Sequence, residues 1–198
     1  MTAETWVRGD WIQTYMGKRF YPLSPRAQDI DPVDVAHALS LLCRYGGHVD
    51  PFYSVAEHCV LMSEWVQREH GSIQLALWAL LHDATEAYVV DVPRPLKREL
   101  RDYATIEDRV MLAIAERFDL PTADMPPEVK DADNRILLDE TAALMPRRER
   151  WAVDEMQPLG VTIRAWAPGV AEQHYARRLE VLLAQRDLDA RRAGEPRA

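Results

Sequence analysis

Two adjacent side chains of metal-ligand type, His82 and Asp83, interrupt an otherwise apolar run, ALWALLHDATEAYVVDVPRPLK, over residues 76–97. Leu75, Trp78, Ala79 and Leu81 recur ahead of them at helical spacing, which predicts a helix. Glu86 follows at i+4 from His82 and i+3 from Asp83, so a continuous helix turns all three toward one side. Asp91 closes the segment, and Pro93 and Pro95 stop the helix. Four ionisable groups against an apolar helix are costly to bury unless they are paired or bind a metal.

Two further ionisable residues fall on apolar faces. In SVAEHCVLMSEWVQREH, Val55, His58, Leu61, Met62 and Trp65 share one side, which puts His58 toward the core. Asp133 has Val129 at i−4, Ile136 at i+3 and Leu137 at i+4. Its neighbours read differently: Asp131 pairs with Arg135 at i+4, and Asp139, also near Arg135, reads as surface. His58, His82, Asp83 and Asp133 form a mixed nitrogen and oxygen set that suits Mn, Co, Fe, Zn or Ni. Such an ion can acidify a water into a nucleophile, and Glu86 is spaced to move a proton beside it. A structural core network is the competing reading for buried charges of this kind.

The elements that must position these residues are helical. Asp31-Pro32 starts a helix that runs through VDVAHALSLLCRY to Gly46-Gly47, with His37 as a structural residue within it. Ser54 caps the next helix, with Glu57 completing a capping box, and Ser72 caps the apolar one. Further helices are expected over Leu96 to Phe118, Pro127 to Met145 and Gly169 to Arg192. Strand signals are confined to a short hairpin between Trp11 and Phe20, so the expected fold is all-α. Residues 1–31 read as an arm that packs Trp11, Tyr15, Phe20 and Tyr21 on the body. Residues 32–145 hold the metal-site core, and 146–198 a connection and last helix, in one domain. The tail AGEPRA is expected to fray.

The 198 residues suffice for one sizeable core. A net charge of −8 argues against a nucleic-acid polymer or a membrane surface as partner, leaving recognition of an anion to local Arg and Lys. No apolar run reaches the roughly 20 residues of a membrane span. The polar N-terminus has no signal-peptide core, and Cys43 and Cys59 form no disulfide framework, so a cytoplasmic location is expected.

The set His58, His82-Asp83 and Asp133 resembles the H…HD…D signature of HD-domain metal-dependent phosphohydrolases, which implies an HD-type helical bundle with its metal site in the core. SVAEH at 54–58, HDATEAYVVDVPRPLK at 82–97 and VKDAD at 129–133 resemble the 5'-deoxynucleotidase (YfbR-type) branch. They also resemble the viral dATP triphosphohydrolases of 2-aminoadenine phages. The resemblance covers about residues 32–145. It implies a divalent ion (Co, Mn, Zn, Fe or Mg) on the four ligands, with Glu86 and Asp91 as catalytic groups. It further implies phosphate contacts from Arg44, Lys97 and Lys130, a base contact from Tyr45, a small deoxynucleotide substrate and a homo-oligomer. Another HD-type nucleotide hydrolase, or a non-catalytic helical module stapled by a metal, are the alternatives.

Overall fold

The computed structural model describes residues 9–194 except 148. The N-terminal octapeptide and the last four residues of the AGEPRA tail lie outside the described residues. The chain is helical, as its periodicity requires. A two-stranded antiparallel hairpin, β1 (Ile12–Gln13) and β2 (Arg19–Phe20), pairs Ile12 with Phe20. Phe20 is buried and stacks on Tyr88, but Trp11 and Tyr15 stay exposed, contrary to the expectation for the arm. Tyr15 instead lies flat on His37, whose Nδ1 faces Glu172 at 3.1 Å.

Helix α1 (Pro32–Leu41) begins as its sequence predicts, with Asp31 accepting from the Val33 amide and Pro32 in the first turn. It ends earlier than Gly46-Gly47. Leu42 turns extended, and Cys43 bridges to Ser54 in a short antiparallel contact that returns the chain to the next helix. The Arg44 amide donates to Tyr53 O, and the Val55 amide to Leu42 O. A single turn at Arg44–Gly47 therefore sits directly before α2.

Helix α2 (Val55–His70) is capped by Ser54 Oγ and closed by Gly71 at φ 63, where the left-handed backbone favours glycine. Helix α3 (Ile73–Leu81) is capped by Ser72 and almost wholly apolar, and it packs along α2. The helix does not run on through the His-Asp pair. Residues 82–85 form turns, followed by two one-turn helices, α4 (Glu86–Val89) and α5 (Arg94–Lys97). Helix α6 begins at Arg101 rather than Leu96 and ends at Phe118. Helix α7 (Pro127–Leu144) crosses α2 and α3, and α8 (Pro168–Arg192) packs against α1, α2 and α3.

The core is built by Leu39, Met62, Leu77, Leu81, Ile136 and Tyr175, each with no more than trace exposure. Burial of each such side chain contributes about 1.5–3 kcal/mol. Polar tips are satisfied between elements: Tyr175 Oη on α8 donates to Leu80 O on α3 at 2.9 Å, and Trp65 Nε1 on α2 to Leu159 O in the segment before α8 at 3.1 Å. The segment before α8 is fastened by a buried acid. Glu57 turns away from the expected capping-box contact and accepts the amides of Arg164, Ala165 and Trp166. Among the described residues no helix is long and apolar enough to cross a membrane.

Candidate metal centre

Three helices bring the predicted ligands to one point inside this core. Helix α2 presents His58 with no exposure, the end of α3 presents His82, and α7 presents Asp133. His58 Nε2 lies 3.2 Å from His82 Nε2. Asp83 Oδ2 lies 3.1 Å from His82 Nε2 and 3.7 Å from His58 Nε2, and Asp133 Oδ1 lies 3.8 Å from His58 Nε2. The donor atoms of His58, His82 and Asp133 all fall within 4.8 Å of one another.

The outer face of each imidazole decides what this cluster can hold. His82 Nδ1 sits 2.8 Å from the Ala79 carbonyl, an acceptor only, so Nδ1 carries the hydrogen. His58 Nδ1 sits 2.6 Å from Glu140 Oε1. Arg44 and His58 outweigh burial and lower the Glu140 pKa to about 2, so this carboxylate is also an acceptor. In the neutral rings, both Nε2 lone pairs therefore point at each other across 3.2 Å. Two acceptors at that distance repel unless a cation or proton lies between them. The donor set of two imidazoles and two carboxylates fits a divalent metal ion.

The electrostatics agree. Burial disfavours an imidazolium at His82, but the Asp83 carboxylate beside it outweighs this and raises His82 well above the ordinary histidine range. Burial, with Arg44, lowers His58. Burial favours the protonated form of Asp83, yet His82, His58 and Arg44 hold it far below the usual carboxylate range. Asp133 is lowered in the same way, by His82 and Arg94 against burial. The cluster keeps its carboxylates ionised and attracts positive charge.

A second grouping, Cys59 with His82 and Asp83, also brings donor atoms close together. It is the weaker set. Cys59 Sγ faces His82 Nδ1 at 4.0 Å, but that nitrogen is already committed to Ala79 O. Burial pushes the Cys59 thiol up to about 11, so it is not a thiolate at neutral pH.

The remaining predicted residues surround the four candidate ligands at different depths. Glu86 is buried, and burial, Asp83 and Asp91 push its carboxyl well above the usual range. Its Oε2 has no hydrogen-bond partner. Asp91 is half-buried beyond α4 and acts on Glu86 through its charge. Arg44 is buried with Nη1 at 3.4 Å from Asp83 Oδ2 and Nη2 at 3.4 Å from Glu140 Oε2. Tyr45 donates its hydroxyl to Glu140, and Arg44 lies over its ring. Lys130 Nζ reaches Asp133 Oδ2 at 3.1 Å, while Lys97 turns to Glu107 at 2.8 Å. A cavity of about 410 Å³ lined in part by Leu61, Arg68, Arg164 and His174 shares no residue with the cluster.

Three residues take roles that their sequence patterns did not indicate, two of them, Glu140 and Arg94, at the site. Glu140 follows Asp133 by two helical turns on the same face, between Leu137 and Leu144, and that register could have found it. Arg94 pairs with Asp133 Oδ2 and donates to Asn134 Oδ1, a contact that only the fold of the Pro93–Pro95 turn creates. Asp139, read as a surface partner of Arg135, instead accepts the amides of Leu159 and Gly160. Arg135 does pair with Asp131, at 3.1 Å.

No protein-family model matches the chain. It is 45% identical over 130 residues to the uncharacterized protein YfdR of Escherichia coli, covering 66% of this chain and 70% of the relative. It is 37% identical over 127 residues to an uncharacterized protein of Rhodobacter capsulatus, covering 62% of this chain. The chain spans 64% of that second relative's length, just under two thirds. Neither relative has an assigned activity, and at that identity and coverage the chain belongs to the same family as YfdR.

Proposed function

We propose that the chain is a divalent-metal-dependent phosphohydrolase that acts on small deoxynucleotides. The observation that carries this reading is the pair of Nε2 atoms facing each other at 3.2 Å, flanked by Asp83 and Asp133. His58, His82, Asp83 and Asp133 would hold the ion. When bound, it supplies Lewis acidity toward a phosphoryl oxygen and lowers the pKa of water.

The chain's own residues supply the rest. Arg94 and Lys130 both sit on the outer oxygen of Asp133 with about half of their side chains exposed, 48% and 50%, against 7% for Asp133. Two half-exposed cations thus stand over a buried acidic centre, where an anionic phosphate can exchange for part of their pairing. Arg44 lies deeper, against Asp83, and Lys97 acts on Glu86 and Asp83 through its charge. Burial, Asp83 and Asp91 push the Glu86 carboxyl well above the usual carboxylate range, which suits it to hold a proton for a leaving-group oxygen. The choice of a deoxynucleotide rests on the resemblance of residues 54–58, 82–97 and 129–133 to the 5'-deoxynucleotidase branch.

The test is a panel of deoxynucleoside mono-, di- and triphosphates with Co, Mn, Zn or Mg, with products separated by chromatography. Free phosphate from monophosphates supports nucleotidase action, and nucleoside from a triphosphate supports triphosphohydrolase action. Glu86→Gln is expected to lower turnover by about 100-fold or more, the usual loss of a general acid. Metal bound without hydrolysis of any member would sink the reading and leave the ion as a staple between α2, α3 and α7.

A further inference from the structure

Glu140 has no solvent exposure and meets four side chains at once. It accepts from His58 Nδ1 at 2.6 Å, from Tyr53 Oη at 3.0 Å and from Tyr45 Oη, and it pairs with Arg44 Nη2 at 3.4 Å. Two of these partners lead back to the cluster by their far ends. His58 turns its Nε2 to His82, and Arg44 turns its Nη1 to Asp83 Oδ2. One carboxylate thus stands behind a ligand from α2 and behind the arginine that touches a ligand after α3.

The backbone adds an independent sign. Tyr45 sits at φ 59, in the left-handed region that a residue with a side chain adopts at a cost. Arg44 and Tyr45 are consecutive, and both end on Glu140. That geometry is maintained at a conformational cost, and what it delivers is the convergence of both side chains on one acid.

We propose that Glu140 is the positioning residue of the metal centre. It locks His58 in the tautomer that offers Nε2 to the ion, and it holds Arg44 against Asp83. Partners of this kind fix ring orientation and ligand basicity, and their loss usually weakens metal affinity by about 10–100-fold. A purely structural ion pair with Arg44 would cost fold stability and leave the affinity of the folded protein unchanged. The proposal rests on the metal reading above.

The experiment titrates Co2+ into the chelator-stripped full chain and reads the dissociation constant from visible absorption. Wild type, Glu140→Gln and Tyr53→Phe are compared, with folding checked by circular dichroism. Glu140→Gln keeps the shape and removes the charge, and is expected to bind Co2+ about 10–100-fold more weakly. Tyr53→Phe removes one neutral hydrogen bond to the same acid, and is expected to change affinity by less than about threefold. A folded Glu140→Gln with wild-type affinity overturns the proposal. Failure of the wild type itself to bind Co2+, Mn2+ or Zn2+ overturns the metal reading and this proposal with it. Should Glu140→Gln not fold, long-range 1H–15N spectra of the stripped wild type decide the matter. Neutral His58 protonated on Nδ1 is the expected result, and a proton on Nε2 is the contrary one.

Discussion

At the scale of single residues, the centre is defined by which atom of each side chain is already engaged. His82 illustrates this, because its Nδ1 is spent on Ala79 O and its Nε2 faces His58. Cys59, on the spent side, is therefore outside the ligand set despite its 4.0 Å approach. Cys59→Ala is expected to leave Co2+ affinity within about threefold of wild type, whereas His58→Ala loses most of it. Isothermal titration calorimetry distinguishes the two. The pH response follows from Glu140, whose pKa falls from 4.5 in the unfolded chain to about 2 in the folded one. A lowered folded pKa gives stability that is present above the unfolded value and is lost as pH falls toward the folded one. Stability of the metal-free protein is thus expected to drop between pH 4.5 and pH 2. Urea midpoints across that window check it, and Glu140→Gln should show a flatter dependence there.

At the scale of elements, the sequence was most legible where one helical period carried the signal. The register of α7 separates Asp133, with Val129 and Ile136 beside it, from Asp131, which pairs outward with Arg135. Caps were equally plain at Asp31, Ser54 and Ser72, because each side chain meets its own amide within three residues. Contacts made across long separations left no such mark. The turn at 82–85 breaks what periodicity reads as one helix, since tertiary packing around His82 decides the backbone there. Arg94 on Asp133 spans 39 residues and Glu57 on Arg164 spans 107, and neither has a local pattern. Glu57 carries an expected outcome of its own. Its carboxylate satisfies three consecutive amides that lead into α8, with Ala165 at φ 51. Glu57→Ala would remove the charged acceptor of all three amides, and a hydrogen bond to a charged group contributes about 1.5–3 kcal/mol. A loss of about 3 kcal/mol or more is expected in urea unfolding, with new proteolytic cleavage near residues 158–166.

At the scale of the whole molecule, the candidate ligands join three helices that are far apart in sequence, so an ion bound there would couple to folding. His58, His82 and Asp133 come from α2, the end of α3 and α7, and the unfolded chain has no reason to hold them within 4.8 Å. An ion that binds only the folded state stabilises it by RT ln(1 + [L]/Kd), about 4 kcal/mol at a thousandfold excess over Kd. For a domain of this size, 1 kcal/mol corresponds to about 2–4 °C in Tm, so saturating Co2+ is expected to raise Tm by about 8–16 °C. The net charge of −8 sharpens the contrast, because a cation brought to the acidic interior lowers self-repulsion, whereas a nonspecific effect of that kind would not depend on the ligands. The Asp133→Asn variant separates the two contributions. It removes one ligand and one negative charge, and frees Arg94 and Lys130 from the shared oxygen. Differential scanning calorimetry with and without chelator should therefore show most of the Co2+ shift lost in Asp133→Asn. An equal shift in variant and wild type would place the stabilising ion elsewhere on the protein.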